Sequence, residues 1–458
     1  MPEPQPRYRV VALVVAFALF MQQLDATVLS VALPAMSRDF GIPASGLSLA
    51  LTSYLVALAV FIPASGRLSD RFGSRTIFCA AIAVFIAGSI ACAQSATLWA
   101  LVAARFMQGV GGAMMVPVGR LVLLRTVDKD DLVAALSWLV MPALVGPIIG
   151  PPIGGLIVTY LDWRWIFYIN VPIGLVGLAL AIWLIPQIRM DRAARVDLPG
   201  FFLSGIALGC IVFGLELASH PVPTTLIVAL LICGFLFGLA YVHRARNVDD
   251  PILDLSLLRT PTFGLSVAGG TLIRIAQGGM PFLLPLLFQL CFGLSAATAG
   301  TIMMANALGA LAMKPLAPMI IRRFGYRHSL TAAGIGAAMA IGGCALFSPD
   351  WPHLTLAAVL FAAGLFTSLL FTGYNALAFI DIDQTKMSAA TSLYATFQQL
   401  SLSLGICLVA SLLELAGAVS IDAIAAAFVV IGITAFCATF TNQLLKSDTG
   451  NPLTNADE

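Results

Sequence analysis

The chain has 458 residues, 60% of them apolar and only 10% charged, with a net charge of +2. A soluble protein of this size cannot hide that much apolar surface. The net charge of +2 says nothing about nucleic acid, because the basic residues sit at helix ends for another reason, and no nucleic-acid partner is expected. The apolar runs of about 20 residues match the length of a bilayer-spanning helix, so the sequence reads as an all-α, polytopic membrane protein surrounded by lipid.

Fourteen spans are predicted, at about residues 10–35, 46–66, 77–95, 97–123, 131–160, 163–187, 199–218, 222–243, 262–291, 295–320, 329–347, 353–380, 387–415 and 418–442. The first is too long for a cleavable signal peptide and lacks a small-residue cleavage site. With a cytoplasmic N-terminus, 18 of the 24 Lys and Arg residues fall in cytoplasmic segments and only Arg38 and Arg164 fall outside. That is a strong positive-inside bias, and it places both termini in the cytoplasm. Residues 1–187 then hold six spans and residues 259–458 six more. Residues 188–258 carry two further spans flanked by charge.

Span 1 contains MQQLDATVLSVALP, residues 21–34. An acid inside a membrane run costs several kcal/mol unless it is paired or hydrated. Asp25 lies about 22 Å along the helix at 1.5 Å per residue, which puts it in the outer half and within reach of the outside. Gln22 shares its face. After span 2 comes GRLSDRFGSR (66–75), with Asp70 expected near the start of span 3. Its Arg-Phe-Gly-x-Arg pattern, Arg71 to Arg75, recurs at Arg323 to Arg327, a short internal echo of the kind that repeated transporter halves show. Span 4 reads RFMQGVGGAMM (105–115), with Arg105 deep in the membrane, Gln108 on the same face and glycines that admit a close neighbour. Arg120 is expected to snorkel. Span 5 packs Gly146, Pro147, Gly150, Pro151, Pro152, Gly154 and Gly155 into VGPIIGPPIGG. Such a helix is bent and closely packed, with its freed carbonyls satisfied by neighbours, and it is expected to seal one path across the membrane.

Glu216 in span 7 and Glu414 in span 13 lie near outer ends, where a wetted carboxylate is ordinary. Arg274 sits near the centre of span 9 with Gln277 three residues on, a position that suits a polar cavity better than snorkelling. Lys314 reads as structural. Gln398 and Gln399 in span 13 are candidate cavity contacts, and Asp422 is a candidate cap for span 14. The eight cysteines all fall in apolar runs without a CxxC pair and read as packing residues. The four histidines are scattered, with no metal-ligand spacing, and no HExxH, GxSxG or nucleotide-binding loop is present. No enzyme activity, metal or cofactor is expected.

Taken together, LDATVLSVALP (24–34), GRLSDRFGSR, RFMQGVGGAMM, GPIIGPPIGG (146–155) and WRWIFYINVPIG (163–174) resemble the major facilitator superfamily, and more narrowly its fourteen-span drug:proton antiporter branch. The resemblance covers nearly the whole chain. It implies the major facilitator fold: two six-helix bundles plus two extra helices, fourteen transmembrane helices in all, acting as a monomer in the bacterial inner membrane. It implies that protons and a small-molecule substrate are exchanged. Asp25 would take part in proton coupling with Arg105. Gly66, Asp70, Arg71 and Arg75 would form a cytoplasmic interlock, and Gly146, Pro147, Gly150, Pro151, Gly154 and Gly155 the antiporter motif. Gln22, Gln108, Arg274, Gln277 and Gln398 are candidates for the substrate cavity. Two central arginines against one deep acid leave export of an organic anion open beside broad drug efflux, and a facilitator or importer of the same fold is the nearest rival.

Overall fold

A computed structural model describes residues 8–126, 132–188, 197–218, 220, 222–248, 250–383 and 386–445, without the side chains of 8–10 and 124–144. Of the charge bias, Arg7, Lys129, Arg189, Arg192, Arg195 and Lys446 and the side chains of Arg9 and Arg125 therefore lie outside what is described. The helices are α1 (Tyr8–Phe40), α2 (Ser48–Phe72), α3 (Ser74–Ala93), α4 (Leu98–Thr126), α5 (Leu132–Tyr160), α6 (Trp165–Tyr168), α7 (Asn170–Leu184), α8 (Leu198–Leu217), α9 (Thr224–Ala245), α10 (Pro261–Pro285), α11 (Ala296–Gly343), α12 (His353–Leu377), α13 (Met387–Leu415) and α14 (Ile421–Gln443). Most are strongly apolar, and a helix keeps most of its backbone hydrogen bonds internal, as a membrane interior demands.

Local chemistry sets the ends. Asp197 caps α8 by accepting from the Gly200 N–H, with Pro199 in the first turn, and Ser295 caps α11. For α14 the cap is Ser420, which accepts from Ala423, and the expected cap Asp422 sits inside the first turn instead. The α1 helix runs on to Phe40, so Asp25 lies near its middle rather than in its outer half.

Gly73 joins α2 to α3 at φ 95°, and Gly325 divides α11 at φ 72°. Both glycines follow Arg-Phe in the two echoing loops, and both adopt a left-handed backbone that only glycine takes without strain. Twelve helices among the described residues are long and apolar enough to cross a membrane. The two segments that separate this number from fourteen are α5, whose first half carries no described side chains, and α11, which runs as one element through the turn at Gly325.

We call α1–α7 the first group and α10–α14 the second; the two meet chiefly through α5 with α11 and α2 with α13. At the end away from Tyr8 and Leu445, the distal side, one apolar core joins the two groups, and it runs on through the second group as far as Leu445. It includes Leu24, Leu29 and Leu33 of α1 together with Ile273, Phe282 and Leu283 of α10 and Ala296 and Ala299 of α11. Toward the termini the first group has its own cluster around Val15, Phe78 and Phe85, built from α1–α4 and α7. The pair α8–α9 packs against the seam between α2 and α13. Phe235, Leu236 and Leu239 of α9 remain exposed there, a surface suited to lipid.

Candidate functional site

Asp25 is buried and surrounded by donors from two other helices. Arg105 Nη1 of α4 lies 2.6 Å from its Oδ2. Gln108 Nε2, one turn along α4, donates to Oδ1 at 2.8 Å, and Asn170 Nδ2 at the start of α7 donates to the same oxygen at 2.7 Å. Ser89 Oγ of α3 accepts from Gln108 at 2.8 Å. The Arg105 guanidinium lies 4.4 Å from the ring centre of Tyr54 on α2, a cation–π contact. Five of the seven helices of the first group thus meet at one ion pair. Both partners are only 1% exposed, so in this arrangement Asp25 is sealed and not reachable from the distal side as the sequence led us to expect.

The glycines around Arg105 explain why this ring can close. A Cβ on Gly109 would lie 2.7 Å from the Tyr54 carbonyl oxygen, and one on Gly111 2.6 Å from the Phe85 nitrogen. Helix α4 therefore nests against α2 and α3 at backbone distance, which brings Arg105 and Gln108 within short reach of α1. Gln22 is also buried, beside Gly112 and Tyr54, and its Oε1 makes no hydrogen bond among the described residues.

Arg274 on α10 is 6% exposed. Its guanidinium lies 5.1 Å from the ring centres of both Phe371 (α12) and Tyr394 (α13), and Nη2 donates to Tyr394 Oη at 3.3 Å. Its contacts are rings and a phenol rather than a carboxylate. One turn along, Gln398 Nε2 donates to Asn375 Oδ1 at 2.9 Å; Gln398 is half-buried and Asn375 exposed. Gln277 is half-buried, with Oε1 making no hydrogen bond among the described residues.

Asp70 sits in the last turn of α2, not at the start of the next helix, and Arg71 lies beside it over the Phe72 ring. Gly66 is half-buried in the same helix and Arg75 is exposed. The ion pair this end forms most clearly uses Arg67, which reaches Asp250 at 2.9 Å and also the carbonyls of Asp250 and Pro251. It ties α2 to the segment that follows α9.

The Gly-Pro run of α5 makes two close contacts at once. Gly146, Gly150 and Gly154 form a stripe against Gln23, Thr27 and Val28 of α1. Gly155 faces Ala296 and Pro151 faces Gly300, both on α11. One helix thus joins α1 of the first group to α11 of the second, on the distal side. Pro147 is half-buried in the same helix.

Sequence reasoning missed Asn170, Ser89, Tyr54, Tyr394, Phe371 and Arg67. For Asn170 a signal existed: it is the lone amide in the apolar stretch IFYINVPIG. Ser89, Tyr54, Tyr394 and Phe371 carry none, because Ser, Tyr and Phe are ordinary in membrane helices, and Arg67 was visible only as one more basic residue of GRLSDRFGSR. Glu216 was misplaced. It is fully buried, not wetted, because α2 and α13 close over the end of α8.

A fold of apolar helices, with an ion pair enclosed within one helix group and a second group packed against it through α5 with α11 and α2 with α13, is that of a polytopic membrane transporter. Residues 15–406 match the Major Facilitator Superfamily, and the chain belongs to it. It is 38% identical to the MdtD multidrug resistance protein of Klebsiella pneumoniae over 410 residues, covering 88% of this chain and 86% of that one. It is also 38% identical to the MdtD protein of Escherichia coli, covering 89% and 87%. Among solved structures, a POT family transporter in complex with a thioalcohol-conjugated peptide superposes with a TM-score of 0.72 at 16% identity, covering 95% of this chain and 96% of that one. That likeness speaks for the fold alone. The chain is thus a multi-span membrane transporter rather than an enzyme.

Proposed function

We propose that this protein exports drugs or other amphipathic compounds in exchange for protons, by alternating access. The observation that carries the reading is the sealed Asp25–Arg105 pair, held by Gln108 and Asn170 near the middle of α1. Desolvating an ion pair is costly and does not by itself stabilise a fold, so a carboxylate kept there is best explained by a use for its charge. The name of the MdtD relatives supports drugs as the cargo. Fourteen crossings fit the geometry. The 48 residues of α11 would extend about 72 Å at 1.5 Å per residue, against a hydrocarbon core of about 30 Å, so its two arms are two crossings, and α5 is another.

In this reading residues 1–187 and 259–458 are two six-helix bundles and 188–258 an inserted pair. The protein works as a monomer in a bacterial inner membrane, with its termini in the cytoplasm, so the distal side is the outside and the described arrangement is closed to it. Opening outward parts α5 from α11 and lets water reach Asp25, which takes a proton as substrate leaves. Rocking back breaks and remakes contacts of Gly66, Asp70, Arg71 and Arg75 at the cytoplasmic end, and the proton departs inward as substrate binds near Gln22, Gln277 and Gln398. The test is Asp25→Asn in liposomes containing a pH-sensitive dye. It should bind drug yet give no proton flux on drug addition. Full active transport by this variant would sink the assignment.

A second reading, export of an organic anion, is favoured by Arg274, whose buried charge, among the described residues, lies against two rings and donates to a phenol. A planar guanidinium held this way suits a carboxylate on the substrate. In the same liposomes, Arg274→Ala should abolish anion efflux and spare cationic drugs. The reverse pattern would refute this version.

A further inference from the structure

A connection between two bodies that rock apart is ordinarily exposed and polar. Segment 250–259, which leads from α9 into α10, is neither. Ile252, Leu253 and Leu257 are only 3%, 5% and 3% exposed. They belong to one apolar cluster with Ala64 of α2, Tyr241 of α9, Phe263 of α10 and Tyr394 of α13. Helix α2 belongs to the first group and α13 to the second, so the segment is seated across both. The seat lies by the end of α2 and the start of α13, opposite the distal side. Polar contacts hold the segment there. A single hydroxyl serves both backbone groups of Leu253: Tyr241 Oη donates to its carbonyl at 2.8 Å and accepts from its N–H at 2.8 Å. Arg67 of α2 pairs with Asp250 and donates to the carbonyls of Asp250 and Pro251. From the second group, Lys386 at the start of α13 lies 3.9 Å from Asp254. The helices before the segment are fixed as well. Asp197 at the start of α8 accepts from Arg244 of α9 at 2.9 and 2.7 Å, and Val212 of α8 is buried with Val56 of α2 and Cys407 of α13.

We propose that the inserted pair is a brace: α8 covers the seam between α2 and α13, and segment 250–259 leaves its seat whenever those two helices part at the end opposite the distal side. Parting them there uncovers Leu253 and Leu257 toward one group or the other. It also separates the segment from Arg67 on one side or from Lys386 on the other. Apolar surface that loses its cover is returned to water, which is unfavourable. The open arrangement at that end is therefore held back by the insertion, and neither six-helix group supplies this restraint by itself. The inserted pair then sets how often that end opens. The proposal rests on alternating access for the parting of the groups, and on neither protons nor the identity of the cargo.

The test uses the full-length protein in bilayers and needs no transport. Spin-labelled amino acids at Phe72 of α2 and Ser388 of α13, both exposed, report the separation at that end and leave the native cysteines unmodified. Tyr241→Phe keeps the ring and removes both bonds to Leu253. It should enlarge the longer-distance population by about 2- to 12-fold, the net worth of one hydrogen bond. Leu253→Ala removes apolar contact from the seat and should enlarge it as well. Leu236→Ala, on the exposed side of α9, is the control and should leave the distribution unchanged. Gly300→Ala crowds α11 against Pro151 of α5 on the distal side and should shrink the longer-distance population, so it reads the rocking of the groups without touching the brace. A wild-type distribution in Tyr241→Phe or in Leu253→Ala would overturn the brace even where Gly300→Ala shows that the groups rock. A loss of thermal stability without growth of the longer-distance population would mark the segment as structural only, and would overturn it too.

Discussion

Gly300 on α11 faces Pro151 on α5, and the spacing there leaves no room for a methyl group. A Cβ on Gly300 would sit 2.1 Å from the Pro151 carbonyl oxygen and 2.6 Å from its carbonyl carbon. Both are backbone atoms and neither can rotate away. Optimal non-bonded separations are about 3.5–4.0 Å, so Gly300→Ala must push α5 and α11 apart by roughly 1 Å or bend one of them. Overpacking of this kind costs about 1–3 kcal/mol. The two helices belong to opposite groups, so the cost falls on the distal-closed arrangement and not on the fold of either group. A bias of that size shifts the balance between closed and open by about 5- to 150-fold. Spin labels on Tyr160 of α5 and Thr301 of α11 would report it as growth of a longer-distance population, with little change in thermal stability. Gly209→Ala on α8, where nothing lies within 4 Å of the added carbon, is the control and should leave the distances as they are. If Gly300→Ala leaves the distance distribution of the wild type intact, the α5–α11 contact is not what holds the distal side closed.

Three further outcomes follow from named contacts. Arg105→Met leaves Asp25 buried without its ion-pair partner and should cost about 3–5 kcal/mol of stability in detergent melts; adding Asp25→Asn should recover most of that loss, and a double variant as unstable as the single would show that the pair is not the cause. Asn170→Leu removes the 2.7 Å donor to Asp25 and should destabilise by about 1.5–3 kcal/mol, the range for a hydrogen bond to a charged group, in the same melts; wild-type stability would remove it from the site. Arg67→Ala breaks an ion pair whose acid is 67% exposed, so thermal unfolding should reveal less than about 1 kcal/mol; a larger loss would mean that the segment after α9 is structurally critical.

The reach of the sequence is clearest where two features carry their own cost. Asp25 and Arg105 were legible because a charge in an apolar run is expensive wherever the helix points, and the structure places them 2.6 Å apart. The glycines and prolines of α5 were legible because they spoil an isolated helix, and the structure puts them where α1 and α11 come closest. Glu216 shows the limit. Its position in the run correctly placed it near a helix end, but the same position fits a wetted end and a covered one.

Composition and run lengths thus determined the solvent and the helical class, because the bilayer acts on every residue of a span through its apolar surroundings, whereas positions along a helix shifted where its ends did, as for Asp25 and Asp70. Only the tertiary structure decided which side of each helix faces which neighbour. That is why Asn170 and Ser89 join the Asp25 cluster, why Arg274 lies between two aromatic rings, and why Glu216 is enclosed between α2 and α13. In a span apolar on all sides, hydropathy carries no signal of rotation about the axis. Rotation is fixed by close contacts between helices, and these depend on residues far apart in the chain.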